Sequence, residues 1–357
     1  MIHAVLMVGG AGTRFWPRSR RRSPKYLLPI VGDKNMLEQT VERIEPLIPP
    51  ERIRCITSAS QAPGIRAALP RLPAENVVGE PMPRDSAACV GLGAVIVHHA
   101  DPDAVILCMP GDNLIAQSEE FRATVEAASE IAESGKIVTF GIKPPAPETR
   151  FGYIHRGDPI SARAGAAAFD VKRFTEKPDR ETAEKMLESG DYYWNSGNFV
   201  WRADTILDAM GRYAPDLHAA MERIRPALGT DRAAEVIERE YEGLRKISID
   251  YAVMEKAENV AVIEAKFDWD DVGSWTALER HIKQDDAGNT VIGKALLLES
   301  AGNIVSTTED HLVATVGLDD CIVVHTPDAT LVCPKDRAND VKELVQQLKD
   351  KGLGEYL

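Results

Sequence analysis

The chain has no CxxC pair, no run of about 18 uncharged apolar residues, no low-complexity tract and no repeat period, and each absence removes a class of function. Its five cysteines, Cys55, Cys89, Cys108, Cys321 and Cys333, are scattered, three of them inside apolar runs. They read as buried reduced thiols of a soluble, cytoplasmic protein, with neither a disulfide framework nor a zinc site. Positive charge is in short supply as well. A formal net charge of −13 excludes the extended basic face that nucleic acid or an acidic membrane requires, so any phosphate site must be local. Nothing basic precedes the apolar run Ile2–Val8, and glycines follow it at once, which makes it a strand and not a signal peptide.

What is present is enough chain, at 357 residues, for one large α/β domain with an appendage or for two domains. Short β-branched apolar runs at 2–8, 53–57, 104–109 and 137–140 read as strands buried on both faces. Helical stretches alternate with them at 36–45 and 119–133, the latter with Phe121, Val125 and Ala128 on one side and Gly135 beyond its end. The alternation predicts an α/β fold with a doubly wound, mostly parallel sheet, Rossmann-like, over residues 1–284, with ligands at the carboxyl ends of its strands. After residue 285 short apolar runs separated by Gly, Asn and Asp predict a small β-rich domain over 285–357, left-handed β-helix-like. It closes with a helix at 337–350, whose apolar face of Val341, Leu344, Val345 and Leu348 packs on the core or on another copy.

The strongest local motif is Gly9-Gly10-Ala11-Gly12-Thr13-Arg14-Phe15-Trp16-Pro17, directly after the first strand, where glycines let the backbone turn sharply against a phosphate or base edge. It lacks the third glycine of the dinucleotide fingerprint and the Gly-Lys-Ser/Thr of the Walker loop. Arg14, Arg18, Arg20, Arg21, Arg22 and Lys25 follow within an otherwise acidic chain. Coupled to the glycine turn, they read as a triphosphate site of guanidinium forks and one ammonium, and a solvated charged face is the alternative. Asp112 comes just past an unbroken apolar run, so it stands at a strand's carboxyl end. There it can hold a hard cation against phosphate oxygens or cap the next helix.

The segment GGAGTRFWPRSRRRSPKYLLPI resembles the signature of sugar-nucleotide pyrophosphorylases, the sugar-1-phosphate nucleotidyltransferase family, and Phe15-Trp16-Pro17 with Ser19-Arg20 points to their mannose-1-phosphate guanylyltransferase branch. Further blocks follow in family order: Gly79-Glu80-Pro81 with Arg84-Asp85-Ser86-Ala87, Pro110-Gly111-Asp112, Arg150-Phe151-Gly152-Tyr153, Phe174-Thr175-Glu176-Lys177-Pro178, Trp194-Asn195-Ser196-Gly197, Ser248-Ile249-Asp250-Tyr251 and Trp269-Asp270-Asp271-Val272-Gly273. The resemblance implies an enzyme that joins GTP and mannose 1-phosphate into GDP-mannose and releases pyrophosphate. It implies Mg²⁺ held by Asp112 and Asp271, with Asp270 as the adjacent candidate for the second ligand. Nucleotide binding falls to Gly9, Gly10, Gly12, Thr13, Arg14, Lys25, Glu80, Asp85 and Ser86, and sugar-phosphate binding to Gly152, Glu176, Lys177 and Asn195. Guanine's adjacent N1–H and N2–H donors suit a carboxylate, and Glu80 with the Arg84-Asp85-Ser86 loop is the candidate reader.

In such a reaction the sugar phosphate attacks the α-phosphorus in line and is already an anion, so catalysis is positioning and charge neutralisation. The catalytic set is then Arg14, Lys25, Asp112, Lys177 and Asp271. The chain departs from the family at Asn113, where His is usual, at Ala88-Cys89, where a proline is usual, and at Arg150-Phe151-Gly152 in place of Gly-Tyr-Gly. The alternatives are the same chemistry on another hexose 1-phosphate or nucleotide, and a catalytically silent sugar-nucleotide-binding regulator. Isomerase activity is not expected, and the region after 285 is expected to support fold or assembly and to supply no catalytic group. The expected partners are GTP and mannose 1-phosphate, with neither nucleic acid nor membrane and with a homodimer left open.

Overall fold

The computed structural model describes residues 1–357 apart from Ala11 and Glu309, and the side chain of Ala164 is also outside the description. Ala11 belongs to the glycine-rich turn, so that part of the motif lies outside the described residues. The chain divides into two compact units: Met1–Gly9, Val41–Gly111 and Ile115–Trp269 form the first; Gly10–Thr40, Asp112–Leu114 and Asp270–Leu357 form the second.

The first unit begins with the apolar strands β1 (Ile2–Val8), β2 (Ile53–Ser58), β3 (Val77–Glu80) and β4 (Val105–Pro110). They pair in parallel in the order β3-β2-β1-β4. Apart from β3, most of their residues are buried, as in a parallel sheet covered by helices, which is why the sequence runs apolar without alternating. One cover is the helix Ser86–Ala100, where Gly93 lets the backbone close on the sheet: a Cβ there would stand 2.5 Å from Val5 Cγ1. After the two-residue strand β5 (Leu114–Ile115) come β6 (Ile137–Ile142), β7 (Tyr153–Ile160), β8 (Ala168–Thr175), β9 (Tyr192–Arg202) and β10 (Val260–Glu264). Among the described residues the sheet is nine-stranded, in the order β3-β2-β1-β4-β9-β6-β10-β8-β7. Strand β9 runs antiparallel to both β4 and β6, while β6 and β10 are parallel, so the sheet is mixed and mostly parallel on the β1 side. The helix expected at 119–133 is Ser118–Ala132, and Phe121, Val125 and Ala128 are its buried face.

The second unit begins, after the two-residue strand β11 (Trp269–Asp270), with β12 (Thr290–Ile292), β13 (Lys294–Leu298), β14 (Ile304–Ser306), β15 (Leu312–Val316), β16 (Cys321–Thr326) and β17 (Ala329–Pro334). Strands β12, β14 and β16 stack in parallel, and so do β13 and β15, which are the turns of a coiled β structure. An amide ladder marks its corner: Asn303 donates from its main-chain N and Nδ2 to Asn289 Oδ1 at 2.9 and 3.1 Å, and Cys321 N donates to Asn303 Oδ1 at 2.9 Å. The closing helix is shorter than the pattern predicts. Residues Lys335–Asp340 wind as 3₁₀ turns and the α-helix spans Val341–Asp350, burying Val341 and Val345 while Leu344 is exposed.

The core of this unit is built partly from the N-terminal signature. Phe15 and Trp16 pack with Trp275, Ile304, Ile322, Val324, Leu331, Val341 and Val345, and the Phe15 and Trp275 rings lie 5.0 Å apart. Trp16 Nε1 donates to the carbonyl of Tyr356 at 2.8 Å, and Trp275 Nε1 to that of Trp16 at 3.3 Å. The region after residue 285 therefore forms the wall against which the signature loop folds.

Candidate functional site

In the second unit the glycine turn leads into a 3₁₀ turn, Thr13–Phe15, and a second one, Lys25–Leu27. Gly10 has φ +89° and Gly12 has φ +57°, and a Cβ on Gly12 would stand 2.4 Å from Lys25 Cβ. Glycine is needed at 12 because Lys25 fills the space beside it. Around Gly9 and Gly10 no described heavy atom comes within 4 Å of a built Cβ, so that backbone is open to approach.

The Lys25 side chain is 6% exposed, and its ammonium spends three donors on three oxygens: Asp112 Oδ2 at 2.9 Å, the Asp112 carbonyl at 3.3 Å and the Asp271 carbonyl at 2.7 Å. A buried ammonium demands such partners. It brings together Asp112 and Asp271, residues about 160 apart in the chain. Asp112 Oδ1 accepts no hydrogen bond from a described residue. The arginine cluster, in contrast, divides. Arg20 forms a fork with Asp328, both bonds at 2.6 Å, and Arg18 Nη1 donates to Ser306 Oγ at 3.4 Å, so these two anchor the loop to the β strands of its own unit. Arg14 carries a buried Nε with no partner among the described residues.

Asp270 and Asp271, indistinguishable by sequence, have different surroundings. The Asp270 carboxylate is buried and accepts from Arg280 Nε and Nη2 at 2.7 and 2.9 Å, from His281 Nε2 at 2.7 Å and from Val272 N at 2.8 Å. Burial alone would raise its pKa, yet the hydrogen bonds from His281, Arg280 and Val272 outweigh it and hold the group well below the usual carboxylate range. Asp271 is half-buried and meets Lys25 through its main-chain carbonyl. The next residue, Val272, has φ +44°, a left-handed conformation that a β-branched side chain enters only under constraint.

In the first unit Glu80 ends strand β3. Burial pushes its carboxyl up to about 7, opposed by a hydrogen bond that Tyr241 Oη donates to Oε1 at 3.0 Å. Sequence reasoning missed Tyr241, which lies in the charged stretch Glu238-Arg239-Glu240-Tyr241-Glu242 outside every block that was singled out. Asp85, at φ +68°, caps the helix Ser86–Ala100 by accepting from Ser86 N at 2.8 Å, and Ser86 Oγ accepts from Ile249 N at 2.9 Å. Arg84 donates to the carbonyls of Tyr241 and Glu242, both at 2.8 Å. The 84–86 loop is thus clamped onto the 241–249 segment, leaving Glu80 as its base-reading candidate.

Gly152, Glu176, Lys177 and Asn195 come together around the β7, β8 and β9 strands of the same unit. The space beside Gly152 holds Glu176 itself: a Cβ would stand 2.5 Å from its Oε2, so glycine here makes room for a carboxylate. Lys177, at φ +48°, pairs with Glu176, its ammonium half-exposed while the Glu176 side chain is 6% exposed. Asn195 is buried between two partners that sequence reasoning did not assign: its Oδ1 accepts from Thr139 Oγ1 at 3.0 Å, and its Nδ2 donates to Asp250 Oδ1 at 3.0 Å. Burial and the neighbouring Glu176 raise the Asp250 carboxyl to about 7. The signal that could have found Asp250 was its place in the block Ser248-Ile249-Asp250-Tyr251.

Among the described residues no group of three or more His, Cys, Asp or Glu could hold a metal ion alone, and no helix is long and apolar enough to cross a membrane. Comparison with known proteins gives a consistent picture. The mannose-1-phosphate guanylyltransferase ManC of Salmonella typhimurium (strain LT2) is 36% identical over 99% of this chain and 75% of its own, and the mannose-1-phosphate guanylyltransferase of Escherichia coli (strain K12) matches equally. The crystal structure of a Thermus thermophilus protein described as a mannose-1-phosphate geranyltransferase superposes with a TM-score of 0.85 at 37% identity, covering 98% of this chain and 99% of that one. Residues 293–348 match a mannose phosphate isomerase/GMP-like β-helix domain, and residues 3–288 match the nucleotidyl transferase family. By that match and by relatives alike along 99% of it, the chain belongs to the nucleotidyl transferase family.

Proposed function

We propose that the protein is a cytoplasmic enzyme that transfers the guanylyl group of GTP to α-D-mannose 1-phosphate, giving GDP-mannose and pyrophosphate. The observation that carries the reading is the likeness to mannose-1-phosphate guanylyltransferases along essentially the whole chain, 36% identical over 99% of it. Residues 1–284 are the catalytic part and 285–357 the β-rich part that supports it. The five cysteines, all free, suit a reducing compartment.

The roles follow from the chemistry of each group. Glu80 accepts from guanine N1–H and N2–H, and the turn of Gly9, Gly10, Gly12 and Thr13, open at Gly9 and Gly10, lies along the nucleotide. Arg14, with its unspent buried N–H, holds phosphate oxygens. Asp112 and Asp271 offer hard oxygen donors, joined through Lys25, and they suit a divalent cation, Mg²⁺, that takes one or two carboxylates and completes its shell with substrate phosphate. Bound there, the cation would neutralise charge on the reacting phosphates. Lys25 keeps the two aspartates together and adds its own positive charge beside the departing pyrophosphate. Asp85 and Ser86 shape the loop next to Glu80. Lys177 steers the sugar phosphate, Glu176 accepts from sugar hydroxyls, and Gly152 and Asn195 line the same sugar site. The test is pyrophosphate release with each of the four nucleoside triphosphates against mannose 1-phosphate and glucose 1-phosphate. Fastest turnover with GTP and mannose 1-phosphate is expected; a different preferred pair would replace the reading.

A further inference from the structure

Asn195 has little left to offer a sugar. Its amide oxygen faces two donors, Gly197 N at 3.2 Å and Thr139 Oγ1 at 3.0 Å, whose one proton is shared with the Asn198 carbonyl at 3.2 Å. One of its two N–H donors goes to Asp250 Oδ1 at 3.0 Å. A sugar hydroxyl that needs an acceptor does not find a spare one on Asn195, and beside it stands the carboxyl that Asn195 holds. Asp250 starts a wide π-helical turn, Asp250–Met254, in which Glu255 N closes on the Asp250 carbonyl at 3.0 Å, a geometry often kept for functional positions. Ser248 supports its carboxyl, and Glu176 and Lys177 are its charged neighbours.

Resting on the guanylyltransferase reading, we propose that Asp250 is a specificity-determining residue of the sugar 1-phosphate site. It accepts one particular hydroxyl of the hexose, with Asn195 and Thr139 as the positioning residues that aim it. Two carboxyls, Glu176 and Asp250, share a place with one ammonium, Lys177, and like charges so near each other favour a neutral donor between them. A hydroxyl supplies that donor. The burial that raises Asp250 to about 7 agrees with a group that meets substrate in a low-dielectric setting.

The experiment measures kcat/KM for mannose 1-phosphate and its 2-, 3-, 4- and 6-deoxy analogues on the wild type, Asp250→Asn and Thr139→Val. In the wild type one analogue should lose at least about tenfold more than the others, because its absent hydroxyl leaves the Asp250 carboxyl without one of its hydrogen-bond donors. In Asp250→Asn that penalty should shrink to about twofold or less while the penalties of the other analogues and the KM for GTP stay put. Thr139→Val, which leaves the carboxylate in place, should soften the same analogue's penalty and no other. Equal penalties in wild type and both variants would overturn the role of Asp250 even with mannose 1-phosphate as a good substrate. Absence of turnover of mannose 1-phosphate with every nucleotide would instead remove the function on which the inference rests.

Discussion

Asp270 and Asp271 provide the sharpest test, since a single-residue step separates a carboxylate claimed by Arg280 and His281 from the proposed cation ligand. In Asp270→Asn the side chain can keep one oxygen, and the natural choice is toward Val272 N and Arg280 Nη2. Its NH₂ then faces two donors, Arg280 Nε and His281 Nε2, which had bound Oδ2 at 2.7 Å each. Two charge-assisted bonds are lost and replaced by donor–donor conflict, worth about 1.5–3 kcal/mol each when fully buried. Arg280 is 58% exposed, so its share is screened and the total is about 2 kcal/mol. That corresponds to a Tm drop of about 3 °C for a chain of this length. Asp271→Asn behaves in the opposite way. Lys25 is held by the Asp271 main-chain carbonyl, so the substitution leaves that anchor in place. Pyrophosphate release, however, should fall about 100-fold or more at fixed Mg²⁺ and need more Mg²⁺ to recover. The assays are differential scanning calorimetry and pyrophosphate release across an Mg²⁺ series. An Asp270→Asn variant with unchanged Tm and lost Mg²⁺ response, beside a normal Asp271→Asn, would refute the assignment.

Glu80 should make GTP binding pH-dependent: guanine's donors favour the ionised carboxylate of a group whose pKa in the free protein is about 7, so binding releases a proton. Affinity, read by calorimetry, should fall by up to about tenfold per pH unit below 7 and level off above it, and Glu80→Gln should abolish the dependence. Gly152→Ala drives a methyl to 2.5 Å from Glu176 Oε2 and should raise KM for mannose 1-phosphate about tenfold with little change for GTP; an unchanged KM would detach Glu176 from the sugar. Arg20→Ala and Asp328→Ala should each cost about 1 kcal/mol, given that Asp328 is 48% exposed, and the double change should cost no more than either single one in denaturant titrations. Ending the chain at residue 285 removes the wall against which Phe15 and Trp16 pack, so pyrophosphate release should vanish while much of the helical signal of the first unit persists; retained activity would show that the signature loop stands without it.

Several of these positions show which parts of the protein could be read without coordinates. Apolar runs marked β1, β2, β4 and β6 nearly to the residue, because a strand buried on both faces must be apolar throughout. The glycine turn after β1 and the aspartate after β4 announced themselves because a chain reversing at a strand's carboxyl end needs residues of those types. Sequence order alone specified these features, since each depends on neighbours within a few residues. The fate of a charge does not. Arg14 and Arg20 belong to one basic cluster, yet Arg20 meets Asp328, 308 residues away, while Arg14 keeps a buried N–H with no described partner. Asp270 and Asp271 are adjacent copies of one residue, and Arg280 with His281 claims the first of them. Asn195 looked like a sugar ligand until Thr139, Gly197 and Asp250 filled three of its four hydrogen-bonding positions. Whether a polar group is spent or available depends on where long-range partners put their atoms, to within a few tenths of an ångström, and that is settled only when the chain has folded.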